Sequence, residues 1–257
     1  MKPLIIKVGG ALLDTPQAME NLLTTLAKFK QTQQREIVIV HGGGCIVDEL
    51  MQRLQLPVRK KQGLRVTPPD QVEIITGALA GIANKKLVAT AKVAGLNAVG
   101  ISLGDGDLTV ATQLDPELGH VAKVAPAQQT LLTSLLESGF LPIISSIAID
   151  PVGRLMNVNA DQAATAIATL LQGDLVMLSD VDGVLDKQKN LIPALNSSQI
   201  QQLIDDQVIT DGMIVKVEAA LVAAQALNQP VEIANWKKPE KLADLFAGQC
   251  IGTRIQP

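Results

Sequence analysis

Short apolar runs alternate with segments whose apolar residues recur every three to four positions along most of the chain. Leu4 to Val8 is such a run, interrupted only by Lys7 and broken by Gly9-Gly10, and Ile37 to Val40 is a second, ended by His41-Gly42-Gly43-Gly44. Both predict strands buried on two faces. Between them, Pro16 to Lys30 sets Leu22, Leu23, Leu26 and Phe29 on one helical face, and a helix through Val47, Leu50, Met51 and Leu54 follows the glycines. Strand, helix, strand, helix at this spacing requires parallel strands with crossover helices.

The middle of the chain is less regular. Val58 to Thr67 reads as a basic extended or hairpin segment, and Pro68-Pro69 opens a helical stretch from Asp70 to Ala94 in which Gly77 and Gly81 are candidate breaks. Ala98 to Leu103 predicts a strand, Gly104 to Asp107 a turn, Leu108 to Lys123 a small hairpin, Thr130 to Glu137 a helix, and Leu141 to Ile149 one or two strands. The alternation then resumes: a helix over Asn159 to Leu171, a strand over Leu175 to Leu178, a turn at Val181 to Val184 and a hairpin over Leu185 to Ile192. Helices over Ser197 to Asp205 and Gly212 to Leu227, a strand over Val231 to Ala234, a helix over Pro239 to Phe246 and a last strand over Gln249 to Arg254 complete it. The pattern predicts an α/β fold, a three-layer α/β/α sandwich around a mostly parallel sheet. Such sheets bind ligands at the carboxyl ends of their strands.

Composition narrows the function. Apolar residues make up 47% and charged residues 18% of 257, which fits a buried core and excludes disorder. The longest near-apolar stretch, Gly139 to Ile149, is too short to span a bilayer. The apolar run after Met1-Lys2-Pro3 is too short for a secretion signal, so a cytoplasmic protein is expected. A net charge of −3, no Tyr and one Trp argue against nucleic acid as a partner. Cys45 and Cys250 read as reduced thiols, and neither His41 nor His120 has a Cys or His neighbour at metal-ligand spacing, so no protein metal site is expected.

Five segments carry candidate chemistry. Gly42-Gly43-Gly44, between a buried strand and a helix, exceeds the needs of a turn and fits an anion held at a helix N-terminus. It is neither a Walker A loop nor the spaced fingerprint of a dinucleotide fold, which also disfavours a nicotinamide oxidoreductase. Lys7, at the end of a buried strand beside Gly9 and Gly10, must reach a cavity or a charge unless it snorkels at an edge. Arg65, in Gly63-Leu64-Arg65-Val66-Thr67, either forks a carboxylate or belongs to the basic face of Arg59, Lys60 and Lys61. Asn157 and Asn159 alternate along an extended segment and so point the same way, with Asp161 in the first turn of the helix that Asn159 caps. Lys216 lies in the second turn of the helix opened by Thr210-Asp211-Gly212, either functional or merely exposed. No Ser-His-Asp or Cys-His set accompanies them. An anion cradle, two lysines, an arginine, an aspartate and amide side chains suit phosphoryl transfer, where catalysis is positioning and charge neutralisation. A non-catalytic binding module would not need Lys7, Lys216 and Asp161 together.

These motifs, with Leu178-Ser179-Asp180-Val181-Asp182-Gly183-Val184, resemble those of the amino-acid kinase family over essentially the whole chain. Leu64-Arg65-Val66-Thr67 and Asn157-Val158-Asn159-Ala160-Asp161 resemble its short, bacterial, arginine-biosynthetic members that phosphorylate N-acetyl-L-glutamate. Relatives acting on glutamate, aspartate, carbamate or UMP are the alternative. The resemblance implies one domain over 1–257, with an amino-acid substrate lobe over about 1–172 and an ATP lobe over about 173–257. It implies that Gly43 and Gly44 contact the reacting carboxylate while Arg65, Asn157 and Asn159 hold the rest of the substrate. Lys7 and Lys216 would neutralise the transferring phosphoryl group, with Asp161 accepting hydrogen bonds from both. Gly9 and Gly10 would face the γ-phosphate of ATP, whose Mg2+ is held mainly by the nucleotide phosphates. Asp180, Val181, Asp182, Gly183, Val184, Leu185, Val208, Ile209 and Thr210 would build the adenine side. Lys7 lies so near the start that no room remains for the N-terminal helix that links dimers into arginine-inhibited hexamers in other members. A homodimer insensitive to arginine is therefore expected.

Overall fold

The computed structural model describes the backbone of residues 1–257 and every side chain except that of Asp211. The first half holds β1 (Leu4–Val8), α1 (Gly10–Leu13), α2 (Pro16–Thr32), β2 (Ile37–His41), α3 (Gly44–Arg53) and a small hairpin of β3 (Lys60–Lys61) and β4 (Leu64–Arg65). Next come α4 (Val72–Thr76), a π-helical segment (Gly77–Ala83), α5 (Asn84–Val93), β5 (Ala98–Ser102), β6 (Thr109–Gln113), β7 (Val121–Pro126) and α6 (Thr130–Glu137). β8 (Leu141–Ser145), β9 (Ile147–Ile149), β10 (Leu155–Val158) and α7 (Ala160–Leu171) lead into the remainder: β11 (Asp174–Ser179), β12 (Ala194–Leu195), α8 (Ser197–Asp205), α9 (Asp211–Leu227), β13 (Val231–Asn235), α10 (Pro239–Phe246) and β14 (Thr253–Ile255).

The main sheet has the order β12-β14-β13-β11-β1-β2-β8-β5 and is parallel except where β14 runs against β13. Residues of β1 and β2 alternate between its two faces, as the period of a strand requires. Leu4, Ile6, Val8, Ile37 and Ile39 join a core with α2, α5 and α10, while Ile5, Val38 and Val40 join a second core with α7 and α9. Lys7 is on the Ile5 face and therefore points toward α7. A second sheet, β6-β7-β10-β9, stands beside the first.

Strand order places the site. From β1 the chain adds β2, then β5 at the edge and β8 between the two, and then returns to build the other flank from β11. This reversal opens a crevice above the carboxyl ends of β2, β1 and β11, where open α/β sheets take ligands.

Three local expectations change. Gly77 and Gly81 do not break their helix: Gly77 has helical angles (φ −59°, ψ −39°), and Ala78, Leu79 and Ala83 are buried in the core. Packing there outweighs the low helix propensity of glycine, and α4, the π segment and α5 run on without a gap. Leu141 to Ile149, expected as one or two strands, forms two, which belong to different sheets. The expected hairpin over Leu185 to Ile192 reduces to one bridge, Leu185 to Leu191. The last strand starts only at Thr253, because the amides of Ile251 and Gly252 donate to the buried Glu232 carboxylate instead of a neighbouring strand.

Candidate active site

Two glycine turns face each other across the crevice. Gly43 has φ +148°, and a β-carbon on it would come within 3.1 Å of Leu79 and 3.2 Å of Ala83. Only glycine fits that turn, which starts α3 and leaves its first N–H groups without intrahelical acceptors. Gly9 and Gly10 close the other side, and a β-carbon on Gly10 would meet the Cys45 sulfur at 2.9 Å. Burial, with Asp14 adding to it, pushes the Cys45 thiol up to about 11, so it stays protonated as packing between the turns.

A cavity of about 260 Å³ lies over these turns, lined by Gly42 to Gly44, Arg65, Asn157 and Asn159 and reached by Lys7, Gly9 and Gly10. Arg65 is anchored: its Nη2 donates to Asp48 Oδ1 (2.5 Å) and to the Gly44 carbonyl (3.1 Å). Its Nη1 is buried without a partner, a costly state that an anion in the cavity would relieve. Asn157 donates to the Thr67 hydroxyl at 3.1 Å, joining β10 to the segment that follows β4. Asn159 lines the same cavity as Asn157 and also caps α7, the second role that its place before Ala160 suggests. Its side-chain oxygen accepts from the amides of Asp161 (2.8 Å) and Gln162 (3.2 Å), the ordinary commitment of an N-cap.

A second cavity, of about 180 Å³, continues over β1 and β11 and is lined by Lys7, Gly9, Gly10, Asp161, Asp180 and Lys216. Lys7 Nζ pairs with Asp161 at 2.8 Å, the lysine side chain being 17% exposed. Lys216 does not share that carboxylate as expected. It rises from the second turn of α9 to Asp180 at 2.8 Å, because Asp180 at the end of β11 is within its reach. The hydrogen bond from Lys216, with Lys237 3.9 Å away, holds the Asp180 carboxyl below the usual range. Asp182 is likewise lowered, by hydrogen bonds from Lys238 and then Asn235.

Asp180 also borders a third, open depression of about 380 Å³, formed with Val181, Asp182, Gly183, Leu185 and the segment from Val208 to Thr210. Of the residues expected on this side, Val184 alone turns away. It is fully buried in the core, and its amide donates to the Thr253 hydroxyl at 2.8 Å.

Sequence reasoning missed several lining residues. Lys60, Leu79 and Ser146 border the first cavity, Trp236 the second, and Met213 and Asn235 the third. Asp48, the anchor of Arg65, was unmarked because it sits inside an ordinary helical pattern. Lys60 carries a signal, its place in the basic run beside Arg65, but such a run fits a solvated face equally well. Among the described residues no group of three His, Cys, Asp or Glu side chains is arranged to hold a metal ion.

A parallel sheet, glycine turns at adjacent strand ends and lysine–carboxylate pairs over them define a class. Residues 2–235 match the amino acid kinase family, and the chain belongs to it. It is 71% identical over 257 residues to the acetylglutamate kinase of Pasteurella multocida, and 68% identical to that of Actinobacillus succinogenes, each match covering 100% of both chains. Among solved structures it is similar to the smu.665 protein of Streptococcus mutans UA159, with a TM-score of 0.77, 31% identity and 98% of each chain covered.

Proposed function

We propose that the protein transfers the γ-phosphoryl group of ATP to the side-chain carboxylate of N-acetyl-L-glutamate, giving N-acetyl-L-glutamyl 5-phosphate for arginine synthesis. The observation that carries the reading is that Lys7, Gly9 and Gly10 line both the cavity above Arg65 and the cavity holding Lys216. Two ligands seated in them would meet at Lys7. Full-length identity to proteins named acetylglutamate kinase supports the choice of acceptor.

The chemistry follows from the side chains. A carboxylate needs no general base near neutral pH, because it is already ionised. Its reacting oxygen lies against the amides at the start of α3, and the Nη1 of Arg65 takes the substrate's other carboxylate, with Asn157 and Asn159 bordering the acetamido end. One carboxylate oxygen forms a bond to the γ-phosphorus as the bond to the β,γ-bridging oxygen breaks, and ADP leaves with that electron pair. Lys7 and Lys216 neutralise the charge that spreads over the transferring group. Asp161 keeps Lys7 aimed. Lys216 leaves Asp180 to reach the phosphates, since Asp180 and Lys216 line the same cavity as Lys7. Mg2+ supplies further neutralisation when bound. As a hard cation that retains water, it would be held mainly by the nucleotide's phosphate oxygens, with Asp161 and Asp180 the carboxylates that line this cavity. The adenine then occupies the depression between Asp180–Leu185 and Val208–Thr210, so residues from 173 onward serve the nucleotide, and those before serve the acceptor apart from Lys7, Gly9 and Gly10 at the transferring phosphoryl group.

We further assign the enzyme to the cytoplasm, as a homodimer indifferent to arginine. No helix among the described residues is long and apolar enough to cross a membrane. A hexamer by light scattering, or inhibition by arginine, would remove the assembly and regulatory part.

The function is tested by trapping the acyl phosphate with hydroxylamine in the presence of MgATP, with glutamate, aspartate, carbamate and UMP assayed beside N-acetyl-L-glutamate and ADP release followed in parallel. Hydroxamate from N-acetyl-L-glutamate alone supports the reading. Hydroxamate from another acid, or ADP release with carbamate or UMP, reassigns the acceptor pocket. No turnover with any acceptor removes the kinase assignment.

A further inference from the structure

Beneath the triple-glycine turn lies a polar network that the reaction above does not use. His41 ends β2 and is 0% exposed, and Asn84, at the junction of the π segment with α5, is also 0% exposed. Asn84 Nδ2 is 3.0 Å from His41 Nε2 and 2.8 Å from the Ile143 carbonyl. Lys85 Nζ donates to Asn84 Oδ1 at 3.0 Å, which fixes the carboxamide with its nitrogen toward the histidine. An amide nitrogen can only donate, so His41 Nε2 accepts and the ring proton sits on Nδ1. Nδ1 lies 2.7 Å from the carbonyl oxygen of Gly42 and donates to it. Burial, with Lys85 acting in the same sense, lowers the His41 pKa to about 4, so the ring is neutral and keeps this single-proton arrangement at neutral pH.

The consequence runs through one peptide plane. In a planar trans peptide the carbonyl and the following N–H point in opposite directions. The Gly42 carbonyl is drawn inward by His41, so the Gly43 N–H on the same plane is turned outward, to the cavity that Gly43 lines. The fold reserves space for the device: a β-carbon on Gly100 of β5 would fall 1.9 Å from Asn84 Oδ1. The π segment sets the angular position at which Asn84 leaves its helix, and such irregular turns recur at functional sites.

We infer that His41 and Asn84 are positioning residues that lock the Gly42–Gly43 peptide so that the Gly43 N–H faces the reacting carboxylate. This rests on the proposed function for the identity of that carboxylate. The lock holds a donor ready before substrate arrives, the condition under which a backbone N–H contributes most to a transition state.

The test joins kinetics with nitrogen NMR on the full chain. His41→Leu removes both ring contacts, and His41→Asn restores a donor near Nδ1. His41→Leu is expected to lower kcat by about tenfold or more, less than deleting a donor outright, with KM for MgATP nearly unchanged. His41→Asn is expected to recover most of the loss. In the wild-type protein the ring should carry its proton on Nδ1, and the Gly43 amide resonance should move downfield on adding N-acetyl-L-glutamate. A proton on Nε2, an unmoved Gly43 amide, or wild-type kcat in folded His41→Leu would overturn the inference. The two wild-type resonances decide the matter even if His41→Leu fails to fold. A wild-type protein that forms no hydroxamate would count against the proposed function, while the tautomer still reports on the lock.

Discussion

At the scale of single residues, what governs the site is which partner each charge has found. Arg65 is held by Asp48 and the Gly44 carbonyl with one nitrogen left over, so it is built to grip a ligand and not to react. Arg65→Ala is therefore expected to raise KM for N-acetyl-L-glutamate on the order of 10²-fold, the weight of a single charge-assisted hydrogen bond, while kcat and KM for ATP change little. Lys216→Ala is expected to do the opposite, lowering kcat on the order of 10²-fold or more with modest effects on either KM. Steady-state kinetics with each substrate varied separately checks both, and a rise confined to KM for ATP in Arg65→Ala would contradict its role. Much of this was legible in the sequence. A lysine at the end of a buried strand beside two glycines, and three glycines before a helix, are hard to explain by folding alone. Pairing was not legible. Lys216 lies 36 positions from Asp180 and 55 from Asp161, and only the approach of α9 to the end of β11 decides between them.

Elements were legible where their signal is local. The helices over Thr130–Glu137, Ser197–Asp205 and Pro239–Phe246 begin and end as their apolar spacing and flanking residues predict. In α8 the reason is visible: Asn196 accepts from the Gln199 amide, and the Gln199 side chain accepts from the Asn196 amide, a reciprocal cap at 3.0 and 2.9 Å. Asn196→Ala is expected to cost about 1 kcal/mol of stability, measurable by urea denaturation, and to leave kcat unaltered because α8 lies away from the crevice. No loss of stability would mean that packing of Ile200 alone holds the helix. Elements whose form depends on distant partners were misread. The helix through Gly77 and Gly81 continues because its small residues pack against α3 and β8, and the final strand starts late because Glu232 captures the preceding amides. Neither contact leaves a mark in the local sequence.

Over the whole molecule, the alternation of apolar runs and helical spacing carried the layered fold and its parallel sheet, but not the order of strands. That order, with β1 between β2 and β11, is what brings Lys7, Gly43 and Asp180 to one crevice. The buried network beneath it links stability to pH. His41 is held neutral by burial, with a pKa near 4 against 6.5 when exposed, so the unfolded chain binds the extra proton first as pH falls. Stability is thus full above about pH 6.5 and declines toward pH 4, by on the order of 3 kcal/mol for this group. The depressed carboxyls of Asp180 and Asp182 act in the same direction but at lower pH, below the ordinary carboxylate pKa, and more weakly because both are partly exposed. Thermal denaturation between pH 7 and 4.5 should show the decline, and His41→Asn should flatten it; an unchanged slope in that variant would assign the effect to other groups. The central claim, that a carboxylate oxygen attacks the γ-phosphorus of ATP, is tested most directly by isotope. N-acetyl-L-glutamate carrying 18O in its side-chain carboxylate is turned over with MgATP, and the product is cleaved by hydroxylamine at the acyl carbon. Transfer predicts that the released phosphate carries one substrate-derived 18O. Unlabelled phosphate would mean that ATP is hydrolysed without passing its phosphoryl group to the carboxylate, and the account would be wrong.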